Sequence, residues 1–445
     1  MDTFWCEYAW LGGDRATADV VVAVEDGRIR GVAAGEPCPP GATRLAGLTM
    51  PGMANAHSHA FHRALRGRTH AGTGSFWTWR DQMYGYASRL TPDTYYALAR
   101  ATYAEMALAG ITAVGEFHYL HHAPGGVRYA DPNLMSAALV AAAGDAGIRI
   151  TLLDTCYLHG GIGVAPNEVQ RRFSDVSVDG WVDRVDAFTP DPAVALVGAA
   201  IHSVRAVDPD AMAVMAHWAT VRNAPVHAHV SEQRAENEQC LAAYGVTPTA
   251  LLDARGVLDS RFSAVHATHL TDGDVALLGD RHCSICMCPT TERDLADGIG
   301  PAAALRRAGA GITLGTDSHA SVDLFKEARA VELNERLATQ LRGHHLPHHL
   351  LEGATLVGQR SIGWHDAGTI ATGGLADLIS VRLDSVRTAG SSPDTVLETV
   401  LFAASATDVH HVLVGGRCIV RDGRHETIDV AAELSRSIAA VAEDR

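Results

Sequence analysis

Eight apolar, strand-like runs alternate with helical segments through the middle of this chain, and this rhythm constrains its fold more than any other feature. The runs cover residues 48–56, 111–117, 148–156, 194–202, 225–230, 263–268, 282–288 and 311–315. Most are separated by segments rich in Ala, Leu and Glu, such as 95–109 and 302–308, whose texture is typical of helices. Eight strand–helix units predict a closed parallel barrel, in which reactive side chains lie at the carboxyl ends of the strands.

Both ends of the chain have a sequence pattern typical of short β-strands. Strand-like runs cover residues 18–24, 28–33, 376–383, 409–414 and 417–420. Asp26-Gly27 separates the first two of these runs and is typical of a hairpin turn. Residues 430–440 have a helical pattern. We expect one small β domain built from both termini, and the alternative is two unrelated additions to the barrel.

The composition narrows the class of protein and its partners. With 445 residues, the chain is long enough for a large core and more than one domain. Its net charge of −15 argues against a nucleic-acid partner, because phosphate binding needs an excess of Lys and Arg. The eight cysteines show no disulfide-like pattern, the N-terminus lacks the features of a signal peptide, and no run approaches the ~20 apolar residues of a membrane span. We expect a reduced cytoplasmic protein without a membrane partner.

Four of the eight runs end in side chains that can bind a metal ion or move protons. These side chains are His57 and His59 at the first run, His227, His229 and Glu232 at the fifth, His266 in the sixth and Asp317 at the eighth. Chance explains one or two such ends in a chain with 24 histidines, but not four. Three histidines and one carboxylate can close around one Zn²⁺ and leave a position for water, whose pKa the metal lowers.

The fifth run leaves the choice of ligand open between two histidines. His227 and His229 alternate onto the same face of a strand, so either could reach the metal. We favour His229 because it lies nearer the strand end and nearer Glu232, which is placed to move protons. His266 is a candidate to orient or polarise the reacting group.

These residues resemble the pattern of the amidohydrolase superfamily, and the string GLADL at 374–378 fits it as well. The resemblance extends over essentially the whole chain. It implies an α/β fold with a distorted (β/α)8 TIM-type barrel at residues 49–365. It also implies a small β-sandwich domain formed by the N- and C-terminal segments, 1–48 and 366–445, and assembly into a homodimer.

The only lysine of the chain, Lys326, distinguishes between two kinds of site. Two-metal members of the superfamily often bridge their ions with a carboxylated lysine on the fourth strand, whereas Lys326 lies beyond the eighth. A one-metal, deaminase-like site is therefore expected, with one Zn²⁺ per subunit and Fe²⁺ or Mn²⁺ as alternatives. The implied ligands are His57, His59, His229 and Asp317, and the implied catalytic residues are Glu232, His266 and Asp317.

The loops expected after the strands carry the information about the substrate. They read FWTWRD at 76–81, EFHYLHH at 116–122 and HSVRA at 202–206, so that two arginines, a tyrosine and a histidine would surround the metal. Arginine binds carboxylate bidentately, so paired arginines predict an anionic substrate such as a dicarboxylate. The alternative for either arginine is a structural salt bridge with a nearby acid.

Together with HVSEQ and GTDS, these strings closely resemble the N-formimino-L-glutamate deiminase family of histidine breakdown. That resemblance implies hydrolysis to N-formyl-L-glutamate and ammonia, with the glutamate carboxylates held by Arg80, Tyr119, His202 and Arg205. His62 stands where relatives often carry glutamine. A neutral imidazole can also offer one donor and one acceptor, so we expect His62 to replace the amide.

Two other functions are compatible with parts of this pattern. A mononuclear-metal deaminase of an aromatic base, such as guanine or a triazine, would share the metal ligands but would not need Arg80 and Arg205. A catalytically inactive barrel used for binding is disfavoured by the intact Glu232, His266 and Asp317.

Several other motifs are interpreted as structural. Cys283, Cys286 and Cys288 are expected to pack in a buried seventh strand. The histidines at 344–349 are expected in a solvated loop or helix start, and the glycine-rich segment 160–163 in a loop over the barrel mouth. His121 and His122 could lie behind the site, and the sequence leaves their roles open.

Overall fold

A computed structural model describes residues 1–69 and 73–442. The strands are β1 (Asp2–Ala9), β2 (Thr17–Glu25), β3 (Arg28–Ala34), β4 (Thr43–Pro51), β5 (Met53–Ser58), β6 (Ile111–His118), β7 (Arg149–Cys156), β8 (Ala195–Ile201), β9 (Val226–Val230), β10 (Phe262–His266), β11 (Ser284–Met287), β12 (Gly311–Leu314), β13 (Leu378–Val381), β14 (Val409–Val414), β15 (Arg417–Arg421) and β16 (Arg424–His425).

The helices are α1 (Phe76–Arg89), α2 (Pro92–Leu108), α3 (Leu134–Ala146), α4 (Val178–Asp186), α5 (Pro209–Arg222), α6 (Arg234–Tyr244), α7 (Pro248–Ala254), α8 (Asp272–Asp280), α9 (Pro289–Asp294), α10 (Ala302–Ala308), α11 (Leu324–Thr339), α12 (Pro347–Ala354), α13 (Leu356–Ser361), α14 (Val396–Ala403) and α15 (Val430–Val441). Short 3-10 helices cover Ala60–Leu65, Pro124–Gly126, Gln170–Phe173 and Ala406–Asp408.

The predicted barrel is confirmed. Strands β5 to β12 pair side by side in chain order, and every pair is parallel. A parallel bridge between Ser58 and Asp317 joins the end of β5 to the segment after β12, so the barrel is nearly closed. The carboxyl ends of all these strands therefore meet at one face, which is where the sequence pattern concentrates its reactive residues.

The first apolar run, 48–56, is divided between two strands. Its first part belongs to β4 and its second part to β5, with Gly52 between them. The Gly52 N–H donates to the Asp377 carbonyl oxygen at 2.8 Å, and a Cβ at this position would lie only 2.2 Å from Thr112 Oγ1. All residues from 48 to 56 are buried, so hydrophobicity alone cannot mark where the chain crosses from one sheet to the other. The domain limits given above stay a prediction.

The small β domain predicted from both termini is confirmed as a separate mixed sheet. Its strand order is β16-β15-β14-β13-β4-β1-β2-β3, so N- and C-terminal strands meet where β4 pairs with β13. The β2–β3 hairpin turns at Asp26-Gly27, as predicted, with φ of 52° and 75° at these two residues. Side chains such as Phe4, Val22 and Leu378 form the buried core of this sheet.

The helices pack around the barrel and join it to the terminal segments. Helix α2 was predicted at 95–109 and lies at Pro92–Leu108, where it packs against α3 and the C-terminal α15. Thr91 caps α2, since its side chain accepts the N–H of Thr94. Among the described residues, no helix combines the length and apolar character that crossing a bilayer requires.

Candidate functional site

Four side chains predicted as metal ligands converge at the carboxyl end of the barrel. His57 comes from β5, His59 directly follows that strand, His229 comes from β9, and Asp317 lies in the segment after β12. All four are buried, and their ligand atoms lie within 4.8 Å of one another. Asp317 Oδ1 is 3.3 Å from His57 Nε2 and 3.4 Å from His59 Nε2, and the Nε2 atoms of His57 and His229 are 3.3 Å apart.

Backbone carbonyl groups orient two of the imidazole rings. His59 Nδ1–H donates to the carbonyl oxygen of Phe117 and His229 Nδ1–H to that of His202, each at 2.9 Å. A carbonyl oxygen can only accept, so the proton is on Nδ1 and the Nε2 lone pair faces the common centre. Burial lowers the pKa of both histidines well below its usual value, which keeps the imidazoles neutral.

This donor set fits a divalent metal ion. The Nε2 atoms of His59 and His229 and the carboxylate of Asp317 are all acceptors, and they point at one another in a buried site. Acceptors without a shared proton repel, so a cation between them removes the repulsion. Imidazole nitrogen and carboxylate oxygen are ligands that Zn²⁺ and related metals bind.

The structure separates the two histidines of the fifth barrel strand. His229 stands in the ligand group, whereas His227 Nε2 lies 2.9 Å from the carbonyl oxygen of Ser361 and is fully buried. Burial lowers the pKa of His227 to about 4, so it is a neutral, hydrogen-bonded core residue.

Two further predicted residues lie beside the ligands. His266 Nε2 is 3.7 Å from Glu232 Oε1 and 3.9 Å from Asp317 Oδ2, while His266 Nδ1 lies 3.5 Å from Glu292 Oε1. Burial by itself would lower the pKa of His266, but these carboxylates outweigh it and raise the pKa well above its usual value. Burial raises the pKa of Glu232 to about 7, although His266 and Arg205 oppose the shift. A carboxyl group with that pKa can give or take a proton near neutral pH.

A cavity opens over this group. The five residues predicted to bind substrate all line it, namely His62, Arg80, Tyr119, His202 and Arg205. Aromatic side chains that sequence reasoning missed complete the wall, including Trp79, Tyr157 and Phe173. The structure therefore brings together the predicted metal ligands, the predicted proton-transfer residues and the predicted substrate contacts in one cavity.

The segment that carries Arg80 is a helix, where the sequence suggested a loop. Ser75 begins α1 with a capping interaction, because its N–H donates to Thr78 Oγ1 at 2.9 Å. Residues three and four apart lie on one helix face, so Trp79, Arg80 and Met83 reach the same cavity. The Ser-x-x-Thr spacing before an aromatic run is the local signal that could have indicated this helix.

The two arginines enter the cavity in different electrostatic settings. Arg205 Nε donates to Glu236 Oε2 at 2.8 Å. The Arg80 guanidinium stacks over Trp77 and Tyr84, with 4.5 and 5.5 Å to the ring centres, and its buried Nε has no hydrogen-bond partner. The charge of Arg205 is thus balanced by an acid, while Arg80 forms no ion pair within the described part of the chain.

Polar side chains form another part of the cavity wall. His62 Nε2 is 3.0 Å from the Tyr119 hydroxyl, and the buried His62 Nδ1 has no partner. Burial lowers the pKa of His62 to about 3, so the ring is neutral. Burying an N–H donor without an acceptor costs more free energy than burying an unpaired nitrogen lone pair. The unpartnered Nδ1 of His62 therefore favours the tautomer with the proton on Nε2. His62 then donates to the Tyr119 hydroxyl, whose own O–H donates to Met83 Sδ at 3.7 Å, a weak acceptor that a ligand oxygen can replace.

Two buried acids support the site and were not singled out from the sequence. Glu116, near the end of β6, accepts Ser58 Oγ–H at 2.6 Å and the Ala60 N–H at 2.7 Å, which fixes the residues on either side of His59. Glu292 accepts the Cys288 N–H at 2.8 Å and faces His266. Glu116 could have been found from its strand-end position, whereas no sequence signal marks Glu292.

The residues whose roles the sequence left open belong to other networks. His122 Nε2 is 2.9 Å from Asp175 Oδ1, and His121 Nε2 is 2.9 Å from the carbonyl oxygen of Thr155. Asp175 in turn accepts from the buried Arg184, so this network ties the segment after β6 to α4. His121 and His122 therefore support the structure behind the carboxyl end of the barrel.

The cysteines around the seventh barrel strand and the histidines at 344–349 lie in different environments. Cys283, Cys286 and Cys288 are fully buried, as expected for core residues. Among the histidines at 344–349, expected to be solvated, His345 is buried, because its N–H is held by the buried carboxylate of Glu332 at 2.8 Å. That prediction is wrong for His345.

Replacing Gly315 with alanine should displace the first metal-ligand strand. A Cβ at Gly315 would lie 2.8 Å from His57 Cβ and 2.9 Å from both the His57 carbonyl oxygen and Cys288 Sγ. We expect Gly315→Ala to lower the free energy of unfolding by about 2 kcal/mol and to weaken metal binding. Urea unfolding and metal titration measure both. Gly31→Ala in β3, where an added Cβ meets open space, is the control, and equal metal affinity in both variants would contradict the expectation.

Comparison with known proteins places this geometry in a family. The model of the amidohydrolase family matches residues 48–419. The chain is 37% identical to formimidoylglutamate deiminase from Pseudomonas aeruginosa over 398 residues, which is 86% of this chain and 87% of that protein.

Solved structures show the same architecture. An amidohydrolase from Brucella melitensis superposes with a TM-score of 0.90 and 32% identity, covering 99% of this chain and 100% of that one. An adenosine deaminase from Xanthomonas campestris with bound zinc superposes with a TM-score of 0.83 and 25% identity, covering 98% and 97% of the two chains. From its sequence, its barrel and its buried group of three histidines and one aspartate, this chain belongs to the amidohydrolase family.

Proposed function

We propose that this protein hydrolyses N-formimino-L-glutamate to N-formyl-L-glutamate and ammonia, with one Zn²⁺ per subunit held by His57, His59, His229 and Asp317. The observation that carries the proposal is that Arg80 and Arg205 line the same cavity as the proposed ligands His59, His229 and Asp317. The similarity to formimidoylglutamate deiminase supports it.

The cavity wall suits a substrate with two carboxylates. A guanidinium group can donate two parallel hydrogen bonds to a carboxylate, and Arg80 and Arg205 offer one such group each. Tyr119, polarised by His62, and His202 add neutral hydrogen-bonding groups between the arginines and the metal ligands. Holding both ends of the substrate orients its formimino carbon, which can supply several kcal/mol of the barrier reduction.

The acids and His266 are placed to move the protons of a deimination. When bound, a divalent metal ion lowers the pKa of water and polarises an electrophile. Asp317 takes the proton of the attacking water as its oxygen adds to the formimino carbon. His266 stabilises the charge that develops there. Starting from the protonated formimino group, addition of water leaves a terminal NH2 group. Glu232 donates a proton to this nitrogen, so that the carbon–nitrogen bond breaks with departure of ammonia rather than of an amide anion, and the Glu232 carboxylate takes back the remaining hydroxyl proton as the formyl C=O bond forms.

Ammonia release from the zinc-loaded protein tests the proposal. We expect turnover of N-formimino-L-glutamate and little activity on formimino compounds that lack the second carboxylate. The alternative is deamination of an aromatic base, which the aromatic wall of Trp79, Tyr157 and Phe173 would suit. Turnover of guanine or a triazine without turnover of N-formimino-L-glutamate would replace the present proposal with that one.

Removing either cavity arginine should impair the dicarboxylate substrate selectively. We expect Arg80→Met and Arg205→Met each to lower kcat/KM by about 10²-fold or more, since truncating one partner of a desolvated charge pair costs about 2–5 kcal/mol. Steady-state kinetics on N-formimino-L-glutamate measure this. Arg382→Met, at an exposed position in the small domain, is the matched control. Undiminished activity in both cavity variants would show that neither arginine contacts the substrate.

A further inference from the structure

We propose that Glu236 is a positioning residue that holds Arg205 and the segment carrying Glu232 in one arrangement and thereby sets the affinity for the carboxylate of the substrate. The inference rests on the proposed function for the identity of that carboxylate. Glu236 lines neither the cavity nor the metal group, so its effect is exerted through its two partners.

The two oxygens of Glu236 bind two different parts of the site. Oε2 accepts Arg205 Nε–H at 2.8 Å, and Oε1 accepts the Ser231 N–H at 2.9 Å. The carboxylate is fully buried on the first turn of α6. Ser231 directly precedes Glu232 and has a φ of 51°, a left-handed conformation that a serine adopts only under constraint. One carboxylate therefore fixes both the arginine and the strained residue beside the proposed acid.

Glu236 binds only one nitrogen of the Arg205 guanidinium group. Only Nε is bonded to Glu236, and Arg205 lines the cavity, so its two Nη groups remain to bind a carboxylate there as a pair. A buried guanidinium requires a counter-charge, and Glu236 provides one before substrate arrives. Glu232 is the other carboxylate that interacts electrostatically with Arg205. Without Glu236, we expect Arg205 to move toward Glu232, so that neither side chain could act on the substrate.

The variants Glu236→Gln and Glu236→Ala separate the two contacts. A glutamine can still accept the Ser231 N–H, but its amide group cannot accept from Arg205 when so oriented. We expect Glu236→Gln to raise KM for N-formimino-L-glutamate about tenfold or more, with kcat changed less than about threefold. Glu236→Ala loses both contacts, so kcat falls as well. Glu238→Gln, the same change at an exposed position of α6, should match the wild type.

A double variant tests whether Glu236 acts through Arg205. In the Arg205→Met background, Glu236→Gln should produce no further rise in KM, because the partner it positions is gone. Full additivity of the two changes would overturn the inference. Circular dichroism and metal content establish that each variant is folded and loaded. If Glu236→Gln does not fold, Glu236→Asp, which keeps the charge on a shorter side chain, should show an intermediate KM.

Binding of glutarate, measured by calorimetry, separates failure of this inference from failure of the proposed function. If the wild type turns over N-formimino-L-glutamate and Glu236→Gln leaves KM within twofold of it, the inference is wrong and the function stands. If the wild type has no turnover, the function is wrong. Weaker glutarate binding by Glu236→Gln than by Glu238→Gln then supports the inference, and equal or undetectable binding in all proteins overturns it.

Discussion

Replacing Glu232 with glutamine should lower kcat by about 10³-fold while leaving metal content and KM nearly unchanged, since a positioned general acid contributes about 10²- to 10⁴-fold. The amide is isosteric with the carboxyl group but cannot deliver a proton to the departing nitrogen. Glu232 lines the cavity next to His266, and its pKa is raised to about 7, so it can hold the transferred proton near neutral pH. Single-turnover ammonia release measures the effect on the chemical step.

The interpretation of that experiment depends on retained structure. Glu238→Gln on the exposed face of α6 is the control for the chemistry of the substitution itself. Zinc content measured by atomic absorption should equal that of the wild type, because Glu232 is not in the ligand group. A kcat within tenfold of the wild type would assign the proton transfer to another group, with His266 as the next candidate.

Removing the metal should abolish turnover and lower thermal stability together. The ligand atoms of His57, His59, His229 and Asp317 lie within 4.8 Å of one another in a buried site, where a cation relieves the repulsion between their lone pairs. An ion that binds only the folded chain stabilises it by about 4 kcal/mol at a concentration 1,000 times its Kd. We expect 1,10-phenanthroline to remove activity and shift the melting temperature downward, and added Zn²⁺ to restore both.

The 1,7-isomer of phenanthroline, which does not chelate, controls for binding of an aromatic molecule in the cavity. Restoration by Zn²⁺ but not by Mg²⁺ is expected, since imidazole ligands favour zinc over a hard cation. Full activity in a protein shown to contain less than stoichiometric metal would contradict the proposed mechanism.

The residues of the candidate metal site could be predicted because the fold of a parallel barrel brings the ends of its strands to one place. His57 and Asp317 lie at opposite ends of the barrel segment, yet both follow a strand-like run, and the carboxyl ends of such strands meet at one face. Periodicity left His227 and His229 equivalent, because both side chains share a strand face. Only packing distinguishes them, because His227 lies against the Ser361 carbonyl oxygen and His229 lies among the other ligand residues.

The arginines show where sequence reasoning stops. The sequence leaves a salt bridge and a substrate contact as alternatives for Arg205. In the structure Nε is bonded to Glu236 while the side chain lines the cavity, so the salt bridge does not exclude the proposed contact. Arg80 reaches the same cavity from α1, together with Trp79 and Met83, and not from a loop. Such arrangements depend on contacts between residues far apart in the chain, which hydrophobic periodicity does not encode.

The amino-acid sequence by itself determined the eight-stranded barrel, the small terminal sheet and the group of strand-end histidines and aspartate, because each follows from local periodicity repeated along the chain. The tertiary structure alone decided where the chain passes between the two sheets at Gly52, which acids support the site, and how Glu236 joins Arg205 to the segment before Glu232. Those features arise from close packing and buried charge, whose partners are chosen in three dimensions.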